Sequence, residues 1–320
     1  TKAAPSLAGV AMRDLGRLRT VAMIVARHGF GPWLMRTPLG RLFDQPPQGD
    51  AALREASAPV RFAKLLAALG PTYIKLGQIL SMRKDLFAPE WIEALETLQD
   101  NAPRLPCDAI RAQVEESLGG RLEDLYASFE QEPLGTASIA QTHRARTREG
   151  DDVVVKVQRP GIEATMRSDL DLLYLGAQIL EASIDEMQLA GVVAIVEEFE
   201  KGVLKELNFH QELANLLEFQ RNLDLTRKVT VPRPYPALST RTVLTMQFFA
   251  GQPIRKLAPK SPEAQAVVNE VVYSAFKQVL VDGVFHGDPH AGNLLCADDG
   301  TLCMIDLGMV GRLTPEQRDD

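Results

Sequence analysis

Apolar residues recur at three- and four-residue intervals from residue 7 to residue 44, until the two prolines and the glycine of "DQPPQGD" (44–50) interrupt them. Such spacing predicts helix, because positions three and four apart share one helical face. The periodicity returns between Ser57 and Leu98, is broken at Gly70-Pro71, and restarts at "APEW", where Pro89 suits a first helical turn. A further helix is expected from Cys107 to Leu118, entered through "RLPCD" and closed by Gly119-Gly120. The first third of the chain thus reads as all helical.

The period then changes. "LYASFEQEPLGTASIAQTHRARTREGDDVVVKVQRPG" (125–161) alternates, carries turn chemistry at "REGDD", and ends in the continuous apolar "VVVKV" of a buried strand. It predicts an antiparallel hairpin. Helices follow over 162–185 and 191–222, then paired strands at "KVTVPRPYP" and "RTVLTMQFF", then a helix over Pro262–Val281. "NLLCADDGTLCMID" (293–306) reads as a short hairpin about Asp298–Gly300. A small β-rich lobe followed by a helical lobe is an α+β plan with a cleft between lobes, and the polar residues of interest fall at strand ends and helix termini. The sequence has no internal repeats and no low-complexity segments.

At 320 residues the chain is long enough for about two domains or lobes. Its apolar fraction of 45% and charged fraction of 24% are those of a globular protein. The net charge of −7 conceals an asymmetry: residues 1–44 hold seven Lys/Arg against two Asp, a balance of +5 that leaves −12 for the rest. A basic apolar arm of this kind suits either the surface of an anionic membrane or a helix packed on its own protein. The acidic body, with no basic stripe interleaved with aromatics, excludes nucleic acid as a partner. Cys107, Cys296 and Cys303 have no metal-ligand spacing and make no even disulfide set, which points to a reducing compartment. No apolar run approaches the length of about 18 residues that a spanning helix needs, so the chain as given is expected to be soluble and cytoplasmic, with the inner face of a membrane as a peripheral site.

The chemistry concentrates near the C-terminus. "FHGDPHAGNLL" (285–295) sets Asn293 five residues after Asp288, and a hairpin then ends in Asp306-Leu307-Gly308. An Asp, an Asn and an Asp-x-Gly in that order are what kinases use to hold Mg²⁺ on a nucleoside triphosphate. Asn293 and Asp306 would supply hard oxygen ligands to the metal, and Asp288 would orient or deprotonate the acceptor. The same chemistry needs a fixed cation on a buried strand, which Lys156 in "VVVKV" provides, and a carboxylate to compensate it. Glu212 in "KELNFHQELANL" is the candidate, with Glu206 as its competitor. Taken singly, an Asp-x-Gly is a turn, a strand lysine lies at an edge and a helical glutamate is a solvated side chain; the ordered set is what carries the signal. In place of a G-x-G-x-x-G loop the chain has "PLGTASIAQTH", where Gly135, Thr136, Ala137 and Ser138 are small enough to admit phosphate oxygens to backbone N–H groups.

With "KLGQ" at 75–78, "GTAS" at 135–138, "VVVKVQRPG", "ELNFHQELAN" and "HGDPHAGN", the sequence resembles the UbiB family of atypical kinase-like proteins, also called aarF-domain kinases, linked to ubiquinone and isoprenoid lipid metabolism. The resemblance covers about residues 57–312. It implies a two-lobed protein-kinase-like fold with a helical N-terminal K-x-G-Q extension and a large lobe truncated at its C-terminus, leaving apolar surface of the 262–281 helix exposed. The corresponding division is a basic arm (1–50), the K-x-G-Q extension (51–120), a small nucleotide-binding lobe with inserted helices (121–251) and the start of the large lobe (252–320). ATP and Mg²⁺ are the implied cofactors, with Lys156 on the phosphates and Met246, beside the hinge position Gln247, among the cofactor-binding residues. Lys75 and Gln78 are implied to fold over the active site and to meet an E-x-D motif that here reads Glu206-Leu207-Asn208. Asn208 replaces the expected Asp, and Gly135-Thr136 replaces two alanines.

The resemblance implies ATPase or small-molecule kinase activity rather than protein kinase activity, with an isoprenoid lipid or quinone precursor as ligand. The alternatives are a small-molecule phosphotransferase of the aminoglycoside or choline kinase type, which lacks the K-x-G-Q helix, and a non-catalytic ATP-dependent scaffold for a lipid-biosynthetic complex.

Overall fold

The structure, a computed structural model, describes residues 7–37, 39–40, 55–98, 102–183 and 191–319. The predicted break at 44–50 lies outside them. Two compact units emerge. The first comprises Thr1–Pro103, Ala137–Ile139 and Gly161–Val203, and the second Arg104–Thr136, Ala140–Pro160 and Leu204–Asp320.

The first unit is helical. α1 (Leu7–Val25) ends in a π-turn at Ala26–Phe30, and α2 (Gly31–Met35) follows. The expected single helix breaks here because Gly29 takes a φ of +91°, open to glycine at little cost, and Pro32 opens the next helix. α3 (Ala58–Leu69) stops at Gly70, whose φ is +106°, and Pro71 starts α4 (Pro71–Ser81), followed by α5 (Pro89–Glu96). α8 (Ile162–Ser183) and most of α9 (Val192–Glu206) complete this unit.

Leu18 of α1 packs with Leu172, Leu175 and Ile179 of α8, and Ala22 and Ala26 are buried with Leu34. The apolar side of the basic arm is therefore spent on its own protein, while Arg19 and Arg27 remain exposed. A buried polar node fastens the same helices. Arg17 donates to both oxygens of Asp169 at 2.7 and 3.1 Å and to the Leu69 carbonyl at 2.8 Å, and Thr72 Oγ1 donates to Asp169 at 2.7 Å. Among the described residues no helix is long and apolar enough to cross a membrane.

The second unit begins with α6 (Cys107–Leu118) and α7 (Leu122–Leu125), which lead into β1 (Tyr126–Thr136), β2 (Ala140–Thr147) and β3 (Asp152–Gln158). With β5 (Val243–Gln247) these form, among the described residues, a four-stranded antiparallel sheet in the order β1-β2-β3-β5. Val153, Val155 and Val157 alternate onto one side, where they pack with Ile110 and Val114 of α6, Tyr126 and Val243. α10 (Phe209–Arg221) follows α9.

The second predicted strand pair does not form as expected. Of "KVTVPRPYP" only β4 (Val229–Thr230) is a strand, and it pairs in parallel with β9 (Leu302–Met304). Pro232 and Pro234 lack amide donors, which leaves a single bridge, Pro234 to Met246, between this stretch and β5. β9 continues through β8 (Leu294–Cys296) to β6 (Gln252–Pro253), and β7 (Val284–His286) pairs with β10 (Val310–Arg312). α11 (Pro262–Phe276) runs into a π-turn at Lys277–Asp282 and ends at Gly283, and α12 (Pro315–Asp319) closes the described chain. Val268, Val272, Phe276 and Leu280, four residues apart, form an exposed apolar stripe along α11 and its π-turn. Cys296 and Cys303 are buried free thiols.

Candidate functional site

β3 holds Lys156 in the middle of the sheet, paired with Thr142 on β2 and Leu244 on β5. Alternation buries Val155 and Val157 completely and turns Lys156 to the opposite side. There its Nζ donates to both carboxylate oxygens of Glu212, at 2.8 and 3.1 Å. Of the two glutamates offered by the sequence, Glu212 makes this contact; its side chain is 4% exposed and that of Lys156 is 18% exposed. Asp306 Oδ1 lies 4.0 Å from the same ammonium, and the Phe209 ring centroid 5.2 Å from it.

Burial by itself disfavours the ammonium, but Asp306 and Glu212 outweigh it and hold Lys156 protonated well above its usual range. Burial likewise pushes the Glu212 carboxyl up, opposed by Lys156. The two-point geometry is that of an ion pair, which the second carboxylate reinforces.

α10 owes its position to its N-terminus. Asn208 caps it, its Oδ1 accepting from His210 N at 3.2 Å. Gln158, the last residue of β3, donates to the Leu207 carbonyl at 2.7 Å, and Phe209 N donates to Arg241 O at 3.0 Å. Glu206, the final residue of α9, is half-buried, and its charge adds to the field on Lys156. Lys75 and Gln78 lie on α4 in the first unit, both half-buried, with Gln78 Nε2 3.4 Å from the Leu98 carbonyl. Between them Gly77 sits where a Cβ would stand 2.2 Å from Leu98 Cδ1, so packing dictates that glycine.

The loop after β7 carries the remaining polar set. Gly287 N donates to Met309 O at 2.8 Å, and Asp288 N donates to His286 Nδ1 at 3.1 Å. Burial lowers the His286 pKa against the pull of Asp306 and Asp288, leaving a neutral ring whose Nδ1 accepts. Asp288 is exposed, with His290 Nε2 3.8 Å from its Oδ2. Asn293 turns its Nδ2 to the Asp288 carbonyl at 3.3 Å, and its own carbonyl accepts from Ile305 N at 3.0 Å, which sets Asn293 beside the segment bearing Asp306. Asp306 is 45% exposed, and its Oδ1 accepts from Gly308 N at 3.1 Å.

Two oxygen-bearing side chains on adjoining segments, one an accessible carboxylate, suit a hard cation that keeps waters and takes the rest of its shell from phosphate. Among the described residues no cluster of three His, Cys, Asp or Glu offers an all-protein metal cage.

Gly135 and Thr136 end β1, where the Gly135 carbonyl accepts from Thr142 Oγ1 at 3.2 Å, whereas Ala137 and Ser138 group with the first unit. Met246 is 8% exposed on β5, opposite Val154. One residue escaped sequence reasoning: Asn215, three positions after Glu212 on α10, is 7% exposed and donates to the Leu307 carbonyl at 2.8 Å. The i, i+3 spacing from Glu212 is the signal that could have found it.

Comparison with known proteins identifies the family. A family model described as the ABC1 atypical kinase-like domain matches residues 97–320. An uncharacterized aarF domain-containing protein kinase of Arabidopsis thaliana, described as chloroplastic, is 37% identical over 268 residues, covering 81% of this chain and 49% of the relative. A "Probable protein kinase UbiB" of Azotobacter vinelandii is 36% identical over 297 residues, covering 90% of this chain and 55% of the relative. The chain thus spans about half the length of these two curated relatives. A Mycobacterium tuberculosis structure, the complex of Rv3197 with erythromycin, aligns with a TM-score of 0.55 at 27% identity, covering 80% of this chain and 64% of that one. With its strand lysine, helix glutamate and Asp-Asn-Asp segments on one scaffold, the chain belongs to the ABC1 atypical kinase-like family.

Proposed function

We propose that the chain binds Mg-ATP and acts as an atypical kinase or ATPase of the UbiB type, in support of ubiquinone or related isoprenoid lipid synthesis. The observation that carries this reading is the two-point Lys156–Glu212 pair with Asp306 4.0 Å from the same ammonium. In it Lys156 is held charged to meet nucleotide phosphates, Asn293 and Asp306 hold Mg²⁺, and Asp288 orients or deprotonates the acceptor. Bound there, Mg²⁺ would neutralise charge on the phosphate oxygens. Gly135, Thr136, Ala137 and Ser138 form the phosphate loop, and Met246 contacts the nucleotide beside the Gln247 hinge. Lys75, Gln78, Glu206 and Asn208 have the regulatory role in this reading, favouring ATP hydrolysis or a small acceptor in place of a protein. The division at 1–50, 51–120, 121–251 and 252–320 follows these roles.

A polyprenyl quinone precursor is the proposed ligand, on the strength of the UbiB-named relatives. Exposed Arg19 and Arg27 on the N-terminal arm supply a cationic surface for peripheral contact with an anionic membrane. The test is thermal unfolding with and without Mg-ATP in the wild type and in Asp306→Asn. Ligand at 100 times its dissociation constant stabilises the native state by about 2.7 kcal/mol. A Mg²⁺-dependent rise lost in Asp306→Asn is expected; a folded wild type with no shift overturns the reading.

A further inference from the structure

We infer that Asn215 is a positioning residue for the metal-bearing segment, joining Asp306 to the helix that carries Glu212; the inference rests on the nucleotide-site reading above. α10 presents Glu212 and Asn215 on one side, and each reaches a different part of the site. Glu212 holds Lys156, and with it β3. Asn215 Nδ2 donates at 2.8 Å to the carbonyl of Leu307, the fully buried residue that follows Asp306. Its Oδ1 accepts from Arg312 Nη2 at 3.1 Å, and the same nitrogen donates to Glu218 Oε2, also on α10, at 2.6 Å. Both ends of the amide are therefore used, one on each side of the segment 307–312.

That segment is fastened along its other edge by β7, through the pairs Val310–His286, Gly311–Phe285 and Arg312–Val284 and the Gly287 N to Met309 O bond. The Asp306 carboxylate in turn follows the backbone of 307–308, because Gly308 N donates to its Oδ1 at 3.1 Å and a Cβ on Gly308 would stand at the same 3.1 Å from that oxygen. The path from α10 to the carboxylate is thus Asn215, Leu307 carbonyl, Gly308 amide, Asp306. Moving α10 away would break the Lys156–Glu212 pair and release Asp306 together. The phosphate-facing lysine and the metal-facing carboxylate assemble as one unit, and the buried amide is the link. Asn suits this position because one planar group supplies a donor to a carbonyl and an acceptor to a guanidinium; Asp keeps only the second.

The test compares Asn215→Asp, Arg312→Met and Phe219→Leu, the last a buried α10 substitution outside the link that serves as the control for general destabilisation. Hydrogen exchange is read first in the ligand-free protein. The link predicts exchange at least about tenfold faster over 305–312 in Asn215→Asp, with 140–158 unchanged; a rise spread evenly over both stretches, as in the control, overturns it. Mg²⁺ is then titrated at saturating ATP. Partners of metal ligands are worth about 10–100-fold in metal affinity, so the apparent Mg²⁺ affinity is expected to fall by at least about tenfold while metal-free ATP binding stays within about threefold. A Mg²⁺ titration in Asn215→Asp that superimposes on Phe219→Leu overturns the inference. If Asn215→Asp does not fold, Arg312→Met, changed at a half-exposed side chain, carries both readouts. A wild type that binds no ATP would sink the proposed function, and the exchange comparison would still decide the link.

Discussion

Removing the Glu212 carboxylate tests whether the Lys156 pair is a stabilising element or only a functional one. Glu212→Ala would leave an ammonium that is 18% exposed, with the Asp306 carboxylate 4.0 Å away and a weaker contribution from Glu206. Breaking a buried pair from one side costs about 3–5 kcal/mol. Partial access to water and the half-exposed Asp306 offset part of that, which sets the expected loss at about 2–3 kcal/mol. Replacing both partners, Lys156→Met with Glu212→Leu, removes the uncompensated charge and keeps the volume, and is expected to cost about 1 kcal/mol or less. The double variant should therefore be more stable than Glu212→Ala alone.

Urea unfolding monitored by circular dichroism gives the comparison, provided the denaturant slopes agree. The pH dependence follows from the raised Lys156 pKa. The lysine's contribution is fully present below about pH 10.4, the unfolded lysine value, and is lost only as pH climbs through the higher folded-state value. Lys156 should accordingly add no slope across neutral pH, and any slope there in the difference between wild type and Glu212→Ala belongs to Glu212, whose raised carboxyl loses stability as pH rises through its folded value. A double variant less stable than Glu212→Ala would refute the reasoning, because it would mean that the pair contributes net stability beyond its own desolvation.

Gly77→Ala would drive a Cβ to 2.2 Å from Leu98 Cδ1 and 2.8 Å from Leu66 Cδ1, and overpacking of this kind costs about 1–3 kcal/mol, only partly offset by helix propensity. An unchanged denaturation midpoint would mean that the leucines repack freely. Burial pushes the Cys303 thiol up to about 12, so at mildly alkaline pH a thiol reagent should modify half-buried Cys107 in the native protein and reach Cys303 only in denaturant; equal rates would contradict the burial. Hydrogen bonds from Thr226 and Tyr273 hold Asp224 down to about 2, so its stabilising contribution is present above the unfolded carboxylate value and is lost as pH falls through about 2. Tyr273→Phe should move the Asp224 carboxyl titration, read by carbon NMR, toward the unperturbed value of about 3.9, and an unmoved midpoint would discount the tyrosine.

Where sequence and structure agree, the reason is local. Glycine and proline mark the ends of α3, α4 and α6, because φ beyond reach of other residues and missing amides act at the residue itself. "VVVKV" forms β3 because β-branched residues on a strand buried along one side leave little alternative. Where they differ, the causes are equally local. Gly29 divides the first helix, and Pro232 and Pro234 reduce a predicted strand to two residues, both features visible in the sequence. Parallel pairing of β4 with β9, across more than seventy residues, is set by tertiary packing, and no pattern in "KVTV" encodes that partner.

The candidate site divides along the same line. Lys156, Glu212, Asp288, Asn293 and Asp306 could be named from residue type and order, because chemistry on phosphate restricts which side chains serve. Asn215 is marked only by its i, i+3 spacing from Glu212, which puts it on the same helical face but does not name the buried carbonyl 92 residues away that it meets. The Arg17, Thr72 and Asp169 node of the first unit has the same character, with partners 152 and 97 residues apart. In both places a buried polar side chain fixes the relation between elements that hydrophobic contact alone would leave free to slide, because a hydrogen bond left unmade in the interior costs more than a shifted apolar contact. The side chains proposed to meet nucleotide are thus readable from residue type and order, whereas the bonds that hold their elements in register become visible only once the fold has set those elements against one another.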